Sequence, residues 1–164
     1  MLITGAGSAG HRRELLLGHF AASRWELGEQ ETLGEIFIGG EGLARGPEMV
    51  LGTLLHGAAH ALGAPRALKD TSRQGRYHNK RFKTLTHELG LQVEHHPALG
   101  WSLTTLSDEA ALGYGEAIAA LGRALSVHRQ REQQGGDQLF PIQNADRGQP
   151  TGAGPSPPVE SRLR

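Results

Sequence analysis

The sequence contains no cysteine among its 164 residues. This absence excludes disulfide frameworks, thiolate zinc sites and thiol catalysis. The 17 basic side chains balance 17 acidic ones, which excludes a uniformly basic nucleic-acid coat. No apolar run approaches the roughly 18 residues of a membrane span, and the first residues lack the order of a signal peptide. We therefore expect a soluble cytoplasmic protein with no membrane partner.

Glycine and histidine are abundant instead, with 24 and nine residues respectively. The segment 129–164 is rich in Gly, Pro, Gln and Ser and has few apolar side chains. It therefore buries too little apolar surface to offset the entropy of ordering, and we expect a disordered low-complexity tail. Residues 1–34 are interpreted as an N-terminal leader and helix, and residues 35–128 as the folded domain.

A glycine-rich motif, Gly5-Ala6-Gly7-Ser8-Ala9-Gly10, matches the G-x-G-x-x-G turn of dinucleotide-binding folds. Only Leu2-Ile3-Thr4 could supply the preceding strand, and a helix is expected over 11–23. The next strand-like run, 35–38, ends in two glycines rather than in an acidic residue. A flexible glycine-rich leader is therefore favoured over a dinucleotide site.

The middle of the chain predicts a helix-dominated α+β fold with a small β-sheet. Ile36-Phe37-Ile38 and 101–106 are typical of strands. Pro47 favours the start of a mostly apolar helix, and Gly63 and Pro65 end it. A second helix is expected over 78–89. Ser107 is a good N-cap for a third helix that runs to about residue 128. His87, His95 and His96 are interpreted as exposed residues of the second helix and its exit.

Three histidines are candidate metal ligands. His56 and His60 are four residues apart, so their imidazoles project from one helix face, as in helices that bind zinc. His78 opens the next predicted helix and is the candidate third ligand. Three nitrogens would leave an open position, as in catalytic zinc sites. The alternative is a pair of core histidines that are hydrogen-bonded to carbonyl groups.

The surroundings of these histidines narrow the interpretation. His56-Gly57-Ala58-Ala59-His60 resembles the H-E-x-x-H helix of zinc metallopeptidases. Together with a K-D-T-S-R-x-G-R-Y-H-N loop over 69–79 and Gly100-Trp101, it resembles the SprT-like family, in particular its bacterial and phage members. The resemblance covers about residues 35–128. It implies a small zincin-like domain that binds one Zn²⁺ through His56, His60 and His78.

The chain departs from this family at the position of the general base. Family members carry a glutamate between the first two histidines, and this chain carries Gly57, which cannot accept a proton. Loss of a general base typically removes about 10² to 10⁴ of rate. Proteolysis is therefore predicted to be absent or strongly reduced. Three explanations stay open: a natural pseudoenzyme, a sequence variant of an active enzyme, or substitution by another carboxylate, with Glu88 and Glu94 as candidates.

A basic segment lies beside the predicted metal site. Residues 66–83 contain seven basic side chains and one acidic one. Several SprT-like proteins act on proteins bound to DNA, so this segment is a candidate nucleic-acid contact. A solvated charged face is the alternative. The candidate contacts are Lys69, Arg73, Arg76 and Lys80. The expected partners are thus a protein or peptide ligand and, through the basic segment, DNA. The cysteine-rich zinc ribbon of many relatives is absent.

Overall fold

The computed structural model describes residues 1–8 and 15–131. These residues form an α+β fold, as predicted. The strands are β1 (Leu2–Gly5), β2 (Gly18–Leu27), β3 (Glu31–Gly39), β4 (Thr71–Ser72), β5 (Tyr77–His78), β6 (Leu91–His96) and β7 (Gly100–Leu106). The α-helices are α1 (Pro47–Gly63), α2 (Lys80–Glu88), α3 (Asp108–Gly113) and α4 (Gly115–Ala124). The expected dominance of helices is not found in these residues, because the strands form two sheets rather than one.

The first sheet has the order β1-β3-β2, with β1 parallel and β2 antiparallel to β3. This arrangement corrects the helix expected over 11–23, because residues 18–23 belong to strand β2, while residues 9–14 lie outside the described part. His19 pairs with Phe37, and Phe20 pairs with Ile36, so the side chains alternate between the two faces of the sheet. Pairing with β3 therefore outweighs the local helix propensity.

Helix α1 is confirmed with the predicted Pro47 at its start, and it packs against β2, β3 and β7. The second sheet has the order β4-β5-β7-β6. Strand β6 was not predicted, because 91–96 was interpreted as the exit of a helix. Its core residue is Leu91, which is 2% exposed and packs with Leu51 and Leu55 of α1.

Helix α2 begins later than the sequence predicts. The side chain of Asn79 accepts hydrogen bonds from the backbone N–H groups of Arg81 and Phe82, which makes it the N-cap. His78 therefore belongs to β5 and not to the first turn of α2, which corrects the helix expected over 78–89. The apolar face of α2 is confirmed in Phe82 and Leu85, which are 0% and 1% exposed.

The third predicted helix is divided into two. Ser107 caps α3 as expected, since its side chain accepts a hydrogen bond from the N–H of Ala110. The Gly113-Tyr114-Gly115 sequence then separates α3 from α4, which ends at Ala124 rather than near residue 128. Two glycines this close together weaken a continuous helix by roughly 1 kcal/mol each. In the described part of the chain, no helix is long and apolar enough to cross a bilayer.

The glycine-rich motif contacts a side chain of the protein itself. The Gly7 N–H donates to Glu41 Oε2 at 2.8 Å, and the Ser8 N–H donates to Oε1 at 3.1 Å. The Ser8 hydroxyl donates to the same oxygen. Glu41 lies in the 3₁₀ helix Gly40–Arg45, where Arg129 also approaches its carboxylate at 3.5 Å. The amides of Gly7 and Ser8 therefore hold a carboxylate of the chain itself. The flexible leader that the sequence favoured is corrected for these residues, because Leu2–Gly5 forms a strand of the first sheet. The first residue of the tail predicted over 129–164, Arg129, contacts Glu41. The residues from 132 onward lie outside the described part of the chain.

These bonds predict an acid-dependent loss of stability. Burial raises the pKa of Glu41, but the hydrogen bonds from Ser8 and Gly7 outweigh it and lower the pKa from 4.5 to about 2. Because the folded pKa lies below the unfolded one, this stabilisation is complete above pH 5 and is lost as the pH falls towards 2. Glu41→Gln is expected to cost about 2–3 kcal/mol of unfolding free energy at pH 7. Urea unfolding at pH 7 and pH 3 measures it, with the exposed Glu31→Gln as control.

Candidate metal centre

Three histidines converge at one point between α1 and β5. His56 and His60 project one turn apart from α1, and His78 reaches them from β5. One ligand nitrogen of each lies within 4.8 Å of the others. The structure thus brings together all three histidines that the sequence nominates, and this cluster can bind a metal ion.

The Nδ1 atom of each imidazole has its own hydrogen-bond partner. His60 Nδ1 lies 2.6 Å from Asp70 Oδ2. His78 Nδ1 lies 3.3 Å from the carbonyl oxygen of Leu99, and His56 Nδ1 lies 3.0 Å from the hydroxyl of Thr104. A carboxylate and a carbonyl only accept, so His60 and His78 donate from Nδ1 and present unprotonated Nε2 atoms. Such outer partners orient the ligands and raise their basicity in histidine metal sites.

Two ring nitrogens of the cluster lie at hydrogen-bond distance from each other. His60 Nε2 and His78 Nε2 are 3.2 Å apart. Two lone pairs at this distance repel each other unless a proton or a metal ion lies between them. Tetrahedral zinc with Zn–N bonds of 2.0–2.1 Å places its nitrogen ligands about 3.3 Å apart. The spacing of this pair therefore fits a tetrahedral metal ion.

A buried aromatic ring supports the three imidazoles. Phe82 of α2 is 0% exposed, and its ring centroid lies 4.4 Å from that of His60, 4.5 Å from His78 and 4.8 Å from His56. This ring excludes water from one side of the cluster and limits rotation of the imidazoles. The apolar stripe of α2 therefore contributes directly to the geometry of the site.

The surroundings keep two of the imidazoles neutral. Burial, together with the neighbouring His60 and His78, lowers the pKa of His56 from 6.5 to about 3, while Asp70 opposes the change. Burial and His60 also lower the pKa of His78, against the opposing effect of the Leu99 carbonyl. Because metal ions bind the unprotonated imidazole, these ligands are ready to bind at neutral pH.

Two clefts border the cluster and share His56. The larger cleft, about 580 Å³, lies between the start of β2, α1 and β7. The smaller cleft, about 440 Å³, runs past His60, Asp70 and His78. Strand β2 is an edge of its sheet, and among the described residues β5 pairs with β7 only at Gly100. The larger cleft therefore lies between two strand edges with free backbone groups.

Gly57 faces the larger cleft and the strand behind it. A Cβ atom at this position would lie 3.0 Å from Ile36 Cγ2 of β3. Of the two carboxylates nominated as substitutes, Glu94 lines this cleft together with His56. Glu88 instead forms a bidentate ion pair with Arg66, at 2.8 and 3.0 Å. Glu88 lines neither cleft, so the structure places only Glu94 near the histidines.

The basic segment forms a surface next to the histidines. Arg73 lies over the ring of Tyr77 at 4.8 Å, and Lys83 lies over the ring of Trp101 at 4.1 Å. A shallow cleft is lined by Tyr77, Asn79, Lys80, His95 and Trp101. Of the four nominated contacts, Arg73 and Lys80 belong to this surface. Lys69 and Arg76 lie exposed in the loop that precedes it.

The sequence did not predict the groups that form hydrogen bonds with the three histidines. Asp70 appeared only as one letter of the loop motif, and Thr104 only as part of a strand. A carboxylate in the loop between two candidate ligands was a usable signal for Asp70. The Leu99 carbonyl has no side-chain signal at all, because its position depends on the pairing of β5 with β7.

No protein-family model, curated protein or solved structure matches this chain.

Proposed function

We propose that this chain is a SprT-like, zincin-type domain that binds one Zn²⁺ through His56, His60 and His78. In this proposal, Gly57 replaces the general base of a metallopeptidase, so proteolysis is absent or strongly reduced. The observation that supports this proposal most strongly is the convergence of three imidazoles, each of which has a separate hydrogen-bond partner at Nδ1. Histidines that only fill a protein core would not need to turn all three rings toward one point.

Zinc is the metal that the donor set favours. Three imidazoles without a thiolate suit zinc, and an open fourth position is typical of catalytic zinc sites. When bound, zinc polarises a carbonyl group as a Lewis acid. The chain's own groups then have defined tasks: Asp70, Leu99 and Thr104 orient the ligands, and Phe82 keeps water from one side.

The ligand that fits the larger cleft is an extended peptide. Its two bordering strand edges offer backbone N–H and C=O groups to a third strand, which is how many proteins bind peptides. His56 lines this cleft, so a peptide bound there would lie beside the proposed metal site. The alternative of an active metallopeptidase with another base depends on Glu94, which lines the same cleft.

Asp70→Asn is expected to weaken zinc binding about 10- to 100-fold, the usual effect of removing an outer-shell partner. The amide keeps the size of the side chain but loses the negative charge that faces His60. Competition with a zinc-sensitive dye measures the dissociation constant. Glu88→Gln removes an exposed carboxylate from the same region and is expected to leave it unchanged. Equal affinities for Asp70→Asn and the parent would contradict the proposed ligand arrangement.

A nucleic-acid-binding module with structural zinc is the second candidate function. The surface formed by Arg73, Tyr77, Lys83 and Trp101 favours it, because aromatic rings flanked by cations bind bases and phosphates together. The seven basic residues of 66–83 place a local positive charge on a neutral chain. DNA is thus proposed as a partner through Lys69, Arg73, Arg76 and Lys80.

Binding through this surface is expected to depend steeply on salt, because each neutralised phosphate releases a counterion. Fluorescence anisotropy with a single-stranded oligonucleotide at 50 and 200 mM salt measures the slope. The triple variant Arg73→Gln, Arg76→Gln, Lys80→Gln is expected to lower both affinity and slope. No binding by the parent chain at 50 mM salt would rule out this candidate.

A further inference from the structure

Residues 71–78 form a β-hairpin that begins and ends at the metal centre. Its strands β4 and β5 pair antiparallel. Asp70, directly before the hairpin, lies 2.6 Å from His60 Nδ1. His78, at the other end, belongs to the cluster of three histidines. The N–H of the next residue, Asn79, donates to the carbonyl oxygen of Asp70 at 3.0 Å, which closes the base of the hairpin. Both ends of the hairpin are therefore fixed by groups of the metal centre.

Between these ends, the hairpin is short and lies at the surface. Each of its strands has two residues, and the pair of His78 with Gly100 joins β5 to β7. Residues 73–76 are exposed, and the other four residues are only partly buried. Segments with few buried contacts open locally at a small cost in free energy. The closed form of the hairpin therefore depends strongly on the groups that hold its two ends.

The turn of the hairpin has a strained backbone. Arg73 and Gln74 have φ angles of 51° and 58°, in the left-handed region that residues other than glycine rarely adopt. Gly75 continues this conformation with a φ angle of 83°. Strained residues of this kind are found where the surrounding structure holds them in place. The strain favours opening of the hairpin and increases its dependence on the metal centre.

The same hairpin carries groups of the proposed nucleic-acid surface. Arg73 lies over the ring of Tyr77 at 4.8 Å, and Arg76 is exposed beside them. Neighbouring residues of a strand point to opposite faces. The Tyr77 hydroxyl accordingly lies 3.1 Å from His95 Nε2 on the basic surface, while His78 Nε2 lies beside His60. One two-residue strand thus contributes both to the basic surface and to the metal centre.

We infer that the β4–β5 hairpin is a nucleic-acid recognition element that metal binding orders, so that the metal ion and a single-stranded nucleic acid strengthen each other's binding. The inference rests on the proposed function, because it needs zinc at the three histidines and nucleic acid at the basic surface. Closing the hairpin brings His78 to the other ligands and places Arg73 and Tyr77 at the same time. Coupling between two sites is reciprocal, so each ligand changes the affinity for the other by the same factor.

Limited trypsin digestion of the full chain, with saturating zinc or with chelator, tests the ordering without nucleic acid. Cleavage after Arg73 and Arg76 is expected to slow by more than about tenfold with zinc, because the ion binds only the closed hairpin. Cleavage after Arg24, which is exposed in the irregular part of β2, is expected to stay unchanged. Equal protection at all three sites would show that zinc acts on the whole fold. No protection would show that the hairpin closes without zinc, and either result overturns the inference.

Fluorescence anisotropy with a single-stranded oligonucleotide at low salt measures the coupling itself. Zinc is expected to tighten binding by the parent chain about tenfold, within the usual range for coupled sites. Arg73→Gln is expected to weaken binding more in the zinc-loaded than in the chelator-treated chain, so that this ratio falls. Lys83→Gln is the matched control, because Lys83 lies on α2, which Phe82 and Leu85 anchor in the core. It is expected to weaken both forms equally and to keep the ratio.

The possible failures can be told apart. Equal affinities of the zinc-loaded and chelator-treated parent would overturn the inference and leave both binding sites in place. An equal fall of the ratio in Arg73→Gln and Lys83→Gln would overturn the role of the hairpin. A parent that holds zinc but binds no oligonucleotide would refute the nucleic-acid function, and a parent that holds no zinc would refute the metal centre. The inference is overturned in both of these cases as well.

Discussion

Replacing Gly57 with glutamate is expected to raise the rate of proteolysis by about 10² to 10⁴, the usual contribution of a general base. The new carboxylate would start from the α1 position that adjoins His56 and faces the larger cleft. Cleavage of fluorescently labelled casein by the zinc-loaded protein measures the rate. The same preparation treated with a chelator is expected to show no gain.

Gly57→Gln is the matched control for this gain. Both side chains have the same length and place a Cβ atom 3.0 Å from Ile36 Cγ2, so both press on β3 equally. Only glutamate can accept a proton, so a gain confined to that variant assigns the effect to the missing base. Ile36→Ala in the background of Gly57→Glu removes the Cγ2 atom that the new side chain meets and so gives it room if β3 resists. Folded, zinc-loaded Gly57→Glu protein with no more activity than Gly57→Gln would contradict the interpretation of Gly57.

Saturating zinc is expected to raise the melting temperature by about 10–20 °C over the chelator-treated protein. A ligand at 1,000 times its dissociation constant adds about 4 kcal/mol to the free energy of unfolding, and a domain of this size converts that into such a shift. The physical source is that the folded chain holds three imidazoles around one point, whereas the unfolded chain does not. Thermal unfolding followed by circular dichroism, with and without chelator, measures the shift.

Two histidine variants locate this stabilisation. His60→Ala removes the imidazole that contacts both His78 and Asp70, so the melting temperature of this variant is expected not to change with zinc. His87→Ala removes an exposed histidine of α2 and is expected to keep the full shift. An equal response of both variants to zinc would mean that the metal binds elsewhere.

The cluster of histidines was predictable because its signal in the sequence is local. His56 and His60 share a helix face by spacing alone, and Pro47 and Gly63 bound that helix. His78 lies beside His56 and His60 as predicted, although it belongs to a strand and not to a helix. It lies in a two-residue strand that depends on β7, and Asn79 starts the helix after it. Side-chain identity thus indicated the site more reliably than the local helix pattern did.

The parts that sequence could not predict depend on contacts between distant residues. Residues 18–23 have helix-compatible side chains, and their pairing with β3 turns them into a strand. Strand β6 forms because it pairs with β7. The adjacent His95 and His96 interrupt the alternation of apolar and polar residues that would have indicated a strand. Gly7 and Ser8 both bond to Glu41, which is 34 and 33 residues away respectively, so the glycine motif alone could not reveal this partner.

The central claim is that three histidines bind one zinc ion. Elemental mass spectrometry of the purified full chain and of His78→Ala, each reconstituted with zinc and freed of excess metal, tests it most directly. We expect about one zinc per parent chain and clearly less in the variant, because a tetrahedral site loses one of its three protein ligands. A parent chain that holds no zinc after reconstitution, or a variant that holds as much as the parent, would contradict it.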